Sequence, residues 1–256
     1  MKIAVSSASF RRLFAARELT QLEWLEGCAS RLALDGIVAA ESDFPRTDPE
    51  YVAQVRKVAV DLGLVPYAID APDLLDPAAS PERCERVLTL AAALGAHAVR
   101  TVAAPAGEVP PAAFVEAVRA ARIAAKAAKA ANVTLLVAAA PDTLAADLAG
   151  LRHLLKDVDS AWLRGAVAAT IPPSAYTPKE RFPALVARVG DDLKSVARNA
   201  ANRWLIVDAV DAERPWETIG DTIVALRGVE ARARLSAAAA LGVRADGDRS
   251  GHLVPG

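Results

Sequence analysis

Histidine and cysteine are nearly missing from this chain of 256 residues, which has three of the first and two of the second. His97 falls at the start of a predicted strand, His153 inside a helical pattern and His252 in the C-terminal tail. None stands where a pocket ligand would. Zinc is ordinarily held by histidine and cysteine, so a zinc hydrolase is disfavoured, and a Ser/His/Asp nucleophile set has no histidine to use. Cys28 and Cys84 both sit in helical patterns and read as small core residues, not as a disulfide framework. No GxGxxG and no GxxxxGK[ST] occurs, so no glycine-rich loop cradles a phosphate. Aromatics make up 5% of the residues and are scattered, which gives no platform for stacking bases. A formal net charge of −1 favours neither nucleic acid nor an anionic membrane. The apolar run Leu88 to Val99 is too short to span a bilayer and is closed by Arg100. The N-terminus leads straight into a strand, without the apolar stretch of a signal peptide, and a cytoplasmic location is expected.

What the chain does have is hydrophobic content, 53%, in a regular alternation. Lys2–Ser7 reads as a strand, followed by the loop Ala8-Ser9-Phe10. Leu19–Leu32 reads as a helix, with Leu22, Leu25, Cys28, Ala29 and Leu32 on one face and Thr20 as its cap. Ile37–Ala40 is a second strand, and Asp48-Pro49 opens a helix stopped by Gly63. Val65–Ile69 ends at Asp70, and Pro81–Leu94 is a helix stopped by Gly95. Ala98–Val102 precedes a loop carrying Glu108 and a long helix, Ala112–Ala131, whose lysines and arginines form a solvated face. Val133–Thr170 reads as strand, helix (Leu144–Leu155), strand, which is a parallel crossover unit. A proline-rich loop, Ile171–Arg181, follows. The pattern then predicts a short helix over Phe182–Val189, a strand over Leu193–Ala197 ending at Arg198-Asn199, and a strand over Trp204–Val207 ending at Asp208. Pro215 to about Leu241 closes the chain as a helical segment with a break expected at Gly228. Eight alternations without a linker predict one α/β domain, a single (β/α)8 TIM barrel over residues 1–243, with a disordered tail over 244–256.

In such a barrel, chemistry sits just past the C-terminal ends of the strands. At strands five and six those ends are Ala138, Ala139, Ala140 and Ala168, Ala169, and alanine supplies no ligand, base or nucleophile. The acids near other strand ends are Glu41 and Asp43, Asp70, Asp142 and Asp208. Oxygen-only sites suit magnesium or manganese, but several acids would have to converge. Asp142, which precedes a helix, and Asp43 are more simply helix caps or solvated loop residues. Asp208 ends the apolar run WLIV and can point into the mouth. Arg100 and Arg198, on or beside strands four and seven, have two readings of equal weight. Each either binds a substrate carboxylate or phosphate or forms an internal salt bridge with Asp208 that fills the pocket.

The segments KIAVSSASF, LEWLEGCASRLALDGI leading into DFPRTDPEYVAQVRKVAVDLGL, AAALGAHAVR, ANVTLLV and VDSAWLRGAV resemble the xylose isomerase-like TIM barrels, the sugar phosphate isomerases and epimerases, over nearly the whole chain to about Leu235. The resemblance implies one divalent metal (manganese, zinc or magnesium) and two acids that move protons alpha to a carbonyl. The metal would be held by a strand-five Glu, a strand-six Asp, a His near strand seven and a strand-eight Glu. Onto this sequence these fall at Ala138, Ala168, near Ala197 or Asn199, and Asp208. The strand-two acid falls at Val38 or Ala40. Three of four ligands are lost. The leading expectation is a degenerate, metal-free barrel, with no cofactor, that lacks the family chemistry. It would bind a small sugar-like ligand or partner a second copy or an active paralogue, and would use neither nucleic acid nor membrane. The alternative is an active isomerase or epimerase with a rearranged, divalent-metal site. It would use Asp208 with Glu41 or Asp70, and Arg100 or Arg198 would hold the substrate. Metal-dependent cleavage of DNA at abasic sites ranks last.

Overall fold

The computed structural model describes residues 1–106, 110–176, 181–210 and 212–247. Glu108, Lys179, Glu180, His252 and the tail after Gly247 lie outside them. Eight parallel strands close into a barrel in chain order. They are β1 (Lys2–Ser6), β2 (Gly36–Ala40), β3 (Val65–Asp70), β4 (Ala98–Val102), β5 (Thr134–Ala138), β6 (Leu163–Ala168), β7 (Ala184–Arg188) and β8 (Trp204–Asp208). The helices are α1 (Arg11–Ala15), α2 (Gln21–Arg31), α3 (Pro49–Asp61), α4 (Pro81–Leu94), α5 (Pro110–Ala131), α6 (Leu148–Val158), α7 (Leu193–Asn199) and α8 (Pro215–Gly247). The expected (β/α)8 barrel is what the chain forms.

Local chemistry sets most of the boundaries. Thr20 and Glu23 form a reciprocal capping box at the start of α2. Asp48 accepts from the Tyr51 amide with Pro49 in the first turn of α3, and Ser80 accepts from the Arg83 amide in the same way at α4. Gly95 ends α4 at φ 78°, a left-handed conformation in which glycine has no Cβ to clash. The cap of α6 is Asp147, which accepts from the Gly150 amide. Asp142, expected as a cap or a solvated loop residue, is the second: it is exposed, five positions upstream of the cap, at φ 60°. α8 runs to Gly247 without a break at Gly228.

The chain around β7 departs from expectation. Residues 184–188 are a strand and Leu193–Asn199 a helix, the reverse of the predicted order. Phe182, Leu185, Val186 and Val189 have helical spacing, but the alternating set also works: Leu185 and Ala187 face the helices while Ala184 faces the barrel interior. Gly190 turns the chain at φ 97°. Asp192 then caps α7 by accepting from the amides of Lys194 and Ser195.

Each strand gives the barrel interior one residue of a packed ring: Ala4, Val38, Ala68, Ala98, Leu136, Ala166, Ala184 and Ile206. Five of the eight are alanine, and the space they leave at the bottom is taken by Tyr67 stacked on Trp204, with ring centroids 4.4 Å apart. Lys2 lies 5.4 Å over the same indole. Outside the strands, the larger core packs Phe10, Trp24, Leu94, Leu155 and Phe182 between sheet and helices.

Candidate functional site

Side chains in a strand alternate, so the next interior layer lies two residues beyond the ring. That step gives Ser6, Ala40, Asp70, Arg100, Ala138, Ala168, Val186 and Asp208 as the floor of the C-terminal mouth. Above the β4–β8 side of this floor is a cavity of ≈ 630 Å³ lined by Asp70, Arg100, Ala138, Ala168, Val186 and Asp208 among others, a size usual for small-molecule sites.

Arg100 is the centre of this layer. Its Nε donates to Asp70 Oδ1 at 3.0 Å, and its Nη2 donates to Asp70 Oδ2 at 2.6 Å, the fork-on-carboxylate geometry. Nη1 donates to Asp208 Oδ2 at 2.7 Å. Nη2 also reaches Ser6 Oγ at 3.3 Å. The guanidinium thus ties β4 to β3, β8 and β1. The three charged side chains are 9% (Arg100), 14% (Asp70) and 15% (Asp208) exposed, so solvent screens them little. Burial works against the charge on Arg100, but the fields of Asp208 and Asp70 outweigh it and raise its pKa. The internal salt bridge expected as one reading of Arg100 is present, to Asp208 and also to Asp70. The second oxygen of Asp208, Oδ1, is buried and has no hydrogen-bond partner among the described residues.

The remaining expected site residues divide. Glu41 sits at the rim, where Arg83 of α4 donates to its Oε2 at 2.8 Å, and Arg83 also pairs with Asp73; it is not a lining residue of the mouth cavity. Arg198 is not in the mouth: it lies exposed in the last turn of α7, because the segment expected as strand seven is that helix. Ala197 and Asn199 move with it. Asn199 is buried and donates to the carbonyls of Ala169 and Ile171, tying α7 to the chain leaving β6. Asp43 is half-buried, not a solvated loop residue. Ser7 donates to it at 2.5 Å while accepting from the Ala40 amide at 2.8 Å, so it links the loops after β1 and β2. Burial pushes the Asp43 carboxyl up, against the hydrogen bonds of Ser7 and Ser42 and the field of Arg11. His97 is exposed just before β4, at the bottom of the barrel. His153 stacks on Phe114 at 4.4 Å on the outer ring.

Three groups were missed from sequence. Arg188, across from Asp208 in the β7–β8 register, lines the cavity with Asp191, which accepts from the Arg188 amide; both were hidden by the reversed assignment of this segment. Ser6 needed only the period-two count from β1.

The carboxylates of the mouth floor are Asp70 and Asp208, and both are engaged by Arg100. Alanine stands at the ends of β2, β5 and β6. Among the described residues no group of three or more His, Cys, Asp or Glu comes together as a metal could need.

No protein-family model matches the sequence, and no curated protein does. Solved structures do match in fold. The probable 3-DHS dehydratase AsbF of Bacillus anthracis is 14% identical, with 89% of this chain and 99% of that one covered, at a TM-score of 0.74. D-psicose 3-epimerase of Clostridium cellulolyticum is 12% identical, with 90% and 99% covered, at 0.68. A xylose isomerase domain protein of Alicyclobacillus acidocaldarius is 14% identical, with 91% and 99% covered, at 0.67. The chain shares with these structures its fold, here a closed eight-stranded parallel barrel.

Proposed function

We propose that this protein is a ligand-binding barrel that works without a divalent metal and lacks the isomerase chemistry its fold resemblance implies. The observation that carries this reading is the Arg100 guanidinium bonded to both Asp70 and Asp208. A divalent ion needs free carboxylates and charge balance. Here three of the four carboxylate oxygens of the two candidate donors are already bonded to Arg100, and Ala40, Ala138 and Ala168 donate nothing. The donor set does not fit the metal. Without it, the negative charge that develops when a proton leaves carbon alpha to a carbonyl has no strong stabiliser. Asp70 and Asp208 are held as acceptors of Arg100 and are poorly placed to move protons.

The cavity takes a small ligand, and the protein acts alone, as a homo-oligomer or beside an active paralogue, in the cytoplasm. The rearranged-site alternative would need Asp208 or Asp70 released from Arg100. Elemental analysis of the purified protein, then titration with manganese and zinc, tests the reading. Neither a stoichiometric ion nor thermal stabilisation by either metal is expected. Tight binding of one, with proton exchange on a ketose or aldose that Asp208→Asn abolishes, would overturn it.

A further inference from the structure

The floor of the mouth is not electrically closed. Two carboxylates, Asp70 and Asp208, face one guanidinium, which leaves a formal charge of −1 in a place that solvent reaches poorly. Buried charge is normally matched; the unbonded Oδ1 of Asp208 is itself closed off from the cavity, so what the cavity meets is the excess charge of the floor. The wider lining repeats the imbalance: four aspartates (Asp70, Asp147, Asp191, Asp208) against two arginines (Arg100, Arg188). Arg188 is exposed at the end of β7 and makes no ion pair with Asp208 among the described residues. The opposite wall is different in kind. Ala138, Ala139, Ala140, Pro141, Ala168 and Ile171 line the cavity there, with Thr170 the polar side chain among them, so this wall offers few side-chain partners for the hydroxyls of a sugar.

We infer that the mouth cavity takes a small organic monocation, a primary ammonium on an apolar body. The ammonium turns to the Asp208 side of the floor, and the body lies along the alanine wall of β5 and β6. This rests on the ligand-binding reading above and narrows it. An ammonium supplies one positive charge against the −1 of the floor without having to displace Arg100, whereas a divalent ion would need the carboxylate oxygens that Arg100 already holds. A carboxylate or phosphate would meet the excess negative charge, because the arginine at the floor is spent on Asp70 and Asp208 and only Arg188, exposed at the end of β7, stands against Asp147 and Asp191 in the rest of the lining. A polyol has hydroxyls all round, and those turned to the alanine wall would find only Thr170 as a side-chain partner, at the cost of unmade hydrogen bonds.

Three probes of one shape separate these cases: cyclohexylmethylamine, cyclohexylmethanol and cyclohexanecarboxylate, with D-fructose as the polyol, each titrated calorimetrically into the full chain at pH 7.5. The amine is expected to bind at least about tenfold more tightly than the alcohol, with the carboxylate undetected. Asp208→Asn removes the excess charge while keeping an acceptor for Arg100, and brings the amine down to the level of the alcohol. Ala168→Trp fills the cavity, leaves the charged floor intact, and abolishes binding of every probe. Equal binding of amine and alcohol, preference for the carboxylate, or an amine preference that survives Asp208→Asn would each overturn the inference. D-fructose binding with no amine binding would overturn it too, while leaving a metal-free binding barrel standing. Manganese binding would instead bring down the reading beneath it.

Discussion

Arg100 can be judged by what its removal would leave behind. Arg100→Leu keeps the bulk of the side chain but leaves Asp70 and Asp208 facing each other half-buried with no counter-charge. Breaking such a pair from one side costs about 3–5 kcal/mol, and urea unfolding at pH 7 is expected to show a loss of that order. The triple variant Arg100→Leu, Asp70→Asn, Asp208→Asn should recover most of it. A single variant as stable as the parent would mean that the bridge contributes little to the barrel. Asp43 makes the opposite case. Its carboxyl is raised by burial, so the folded protein holds the proton more readily than the unfolded chain. The charged form therefore destabilises the fold above the raised pKa, and that penalty is gone below the ordinary aspartate range. Asp43→Asn should raise the melting temperature at pH 7, with the gain shrinking to nothing as the pH falls through the carboxylate range. A loss at every pH would show that the Ser7 hydroxyl needs the charge on its partner.

Among the elements, β6 and the segment before β7 fit through a missing side chain. A Cβ on Gly165 would come within 2.5 Å of the Phe182 ring, and that ring is buried against Tyr176 and the outer core. Gly165→Val should destabilise by about 1–3 kcal/mol through overpacking, read as a lower unfolding midpoint with an unchanged denaturant slope. Most elements were legible in the sequence because caps and stops agreed with periodicity: Thr20 with Glu23, Asp48 with Pro49, Gly95 after Leu94. The reversal at β7 and α7 shows where that agreement fails. Residues 182–189 satisfy a helical and an alternating pattern at once, and only the turn at Gly190 with the cap at Asp192 decides between them. The same slip carried Arg198 into the mouth and left Arg188 out. The Arg100 bridge was one of two readings from sequence, since charge pairing can be argued from composition but partner geometry depends on strand register.

The whole molecule is held closed at its other end as well. Arg227 of α8 donates to Asp35 Oδ2 at 2.6 Å and to the Met1 carbonyl at 3.1 Å, and the same Asp35 oxygen accepts from the Ile3 amide at 2.7 Å. The last helix is thereby fastened to the first strand and to the entrance of β2. The pair is about one-third exposed, so Arg227→Met should cost only about 1 kcal/mol. A single cooperative transition by both fluorescence and circular dichroism is expected to persist, and an early separate loss of helix signal would show that α8 is its own unit. The bridge at the opposite end has a further implication. A positive charge drawn from the medium must be acquired after synthesis, competed for, and kept against chelation. The charge that Arg100 brings to Asp70 and Asp208 is written into the gene and arrives with the chain, so the pairing at the barrel mouth does not wait on the cell's supply of trace elements.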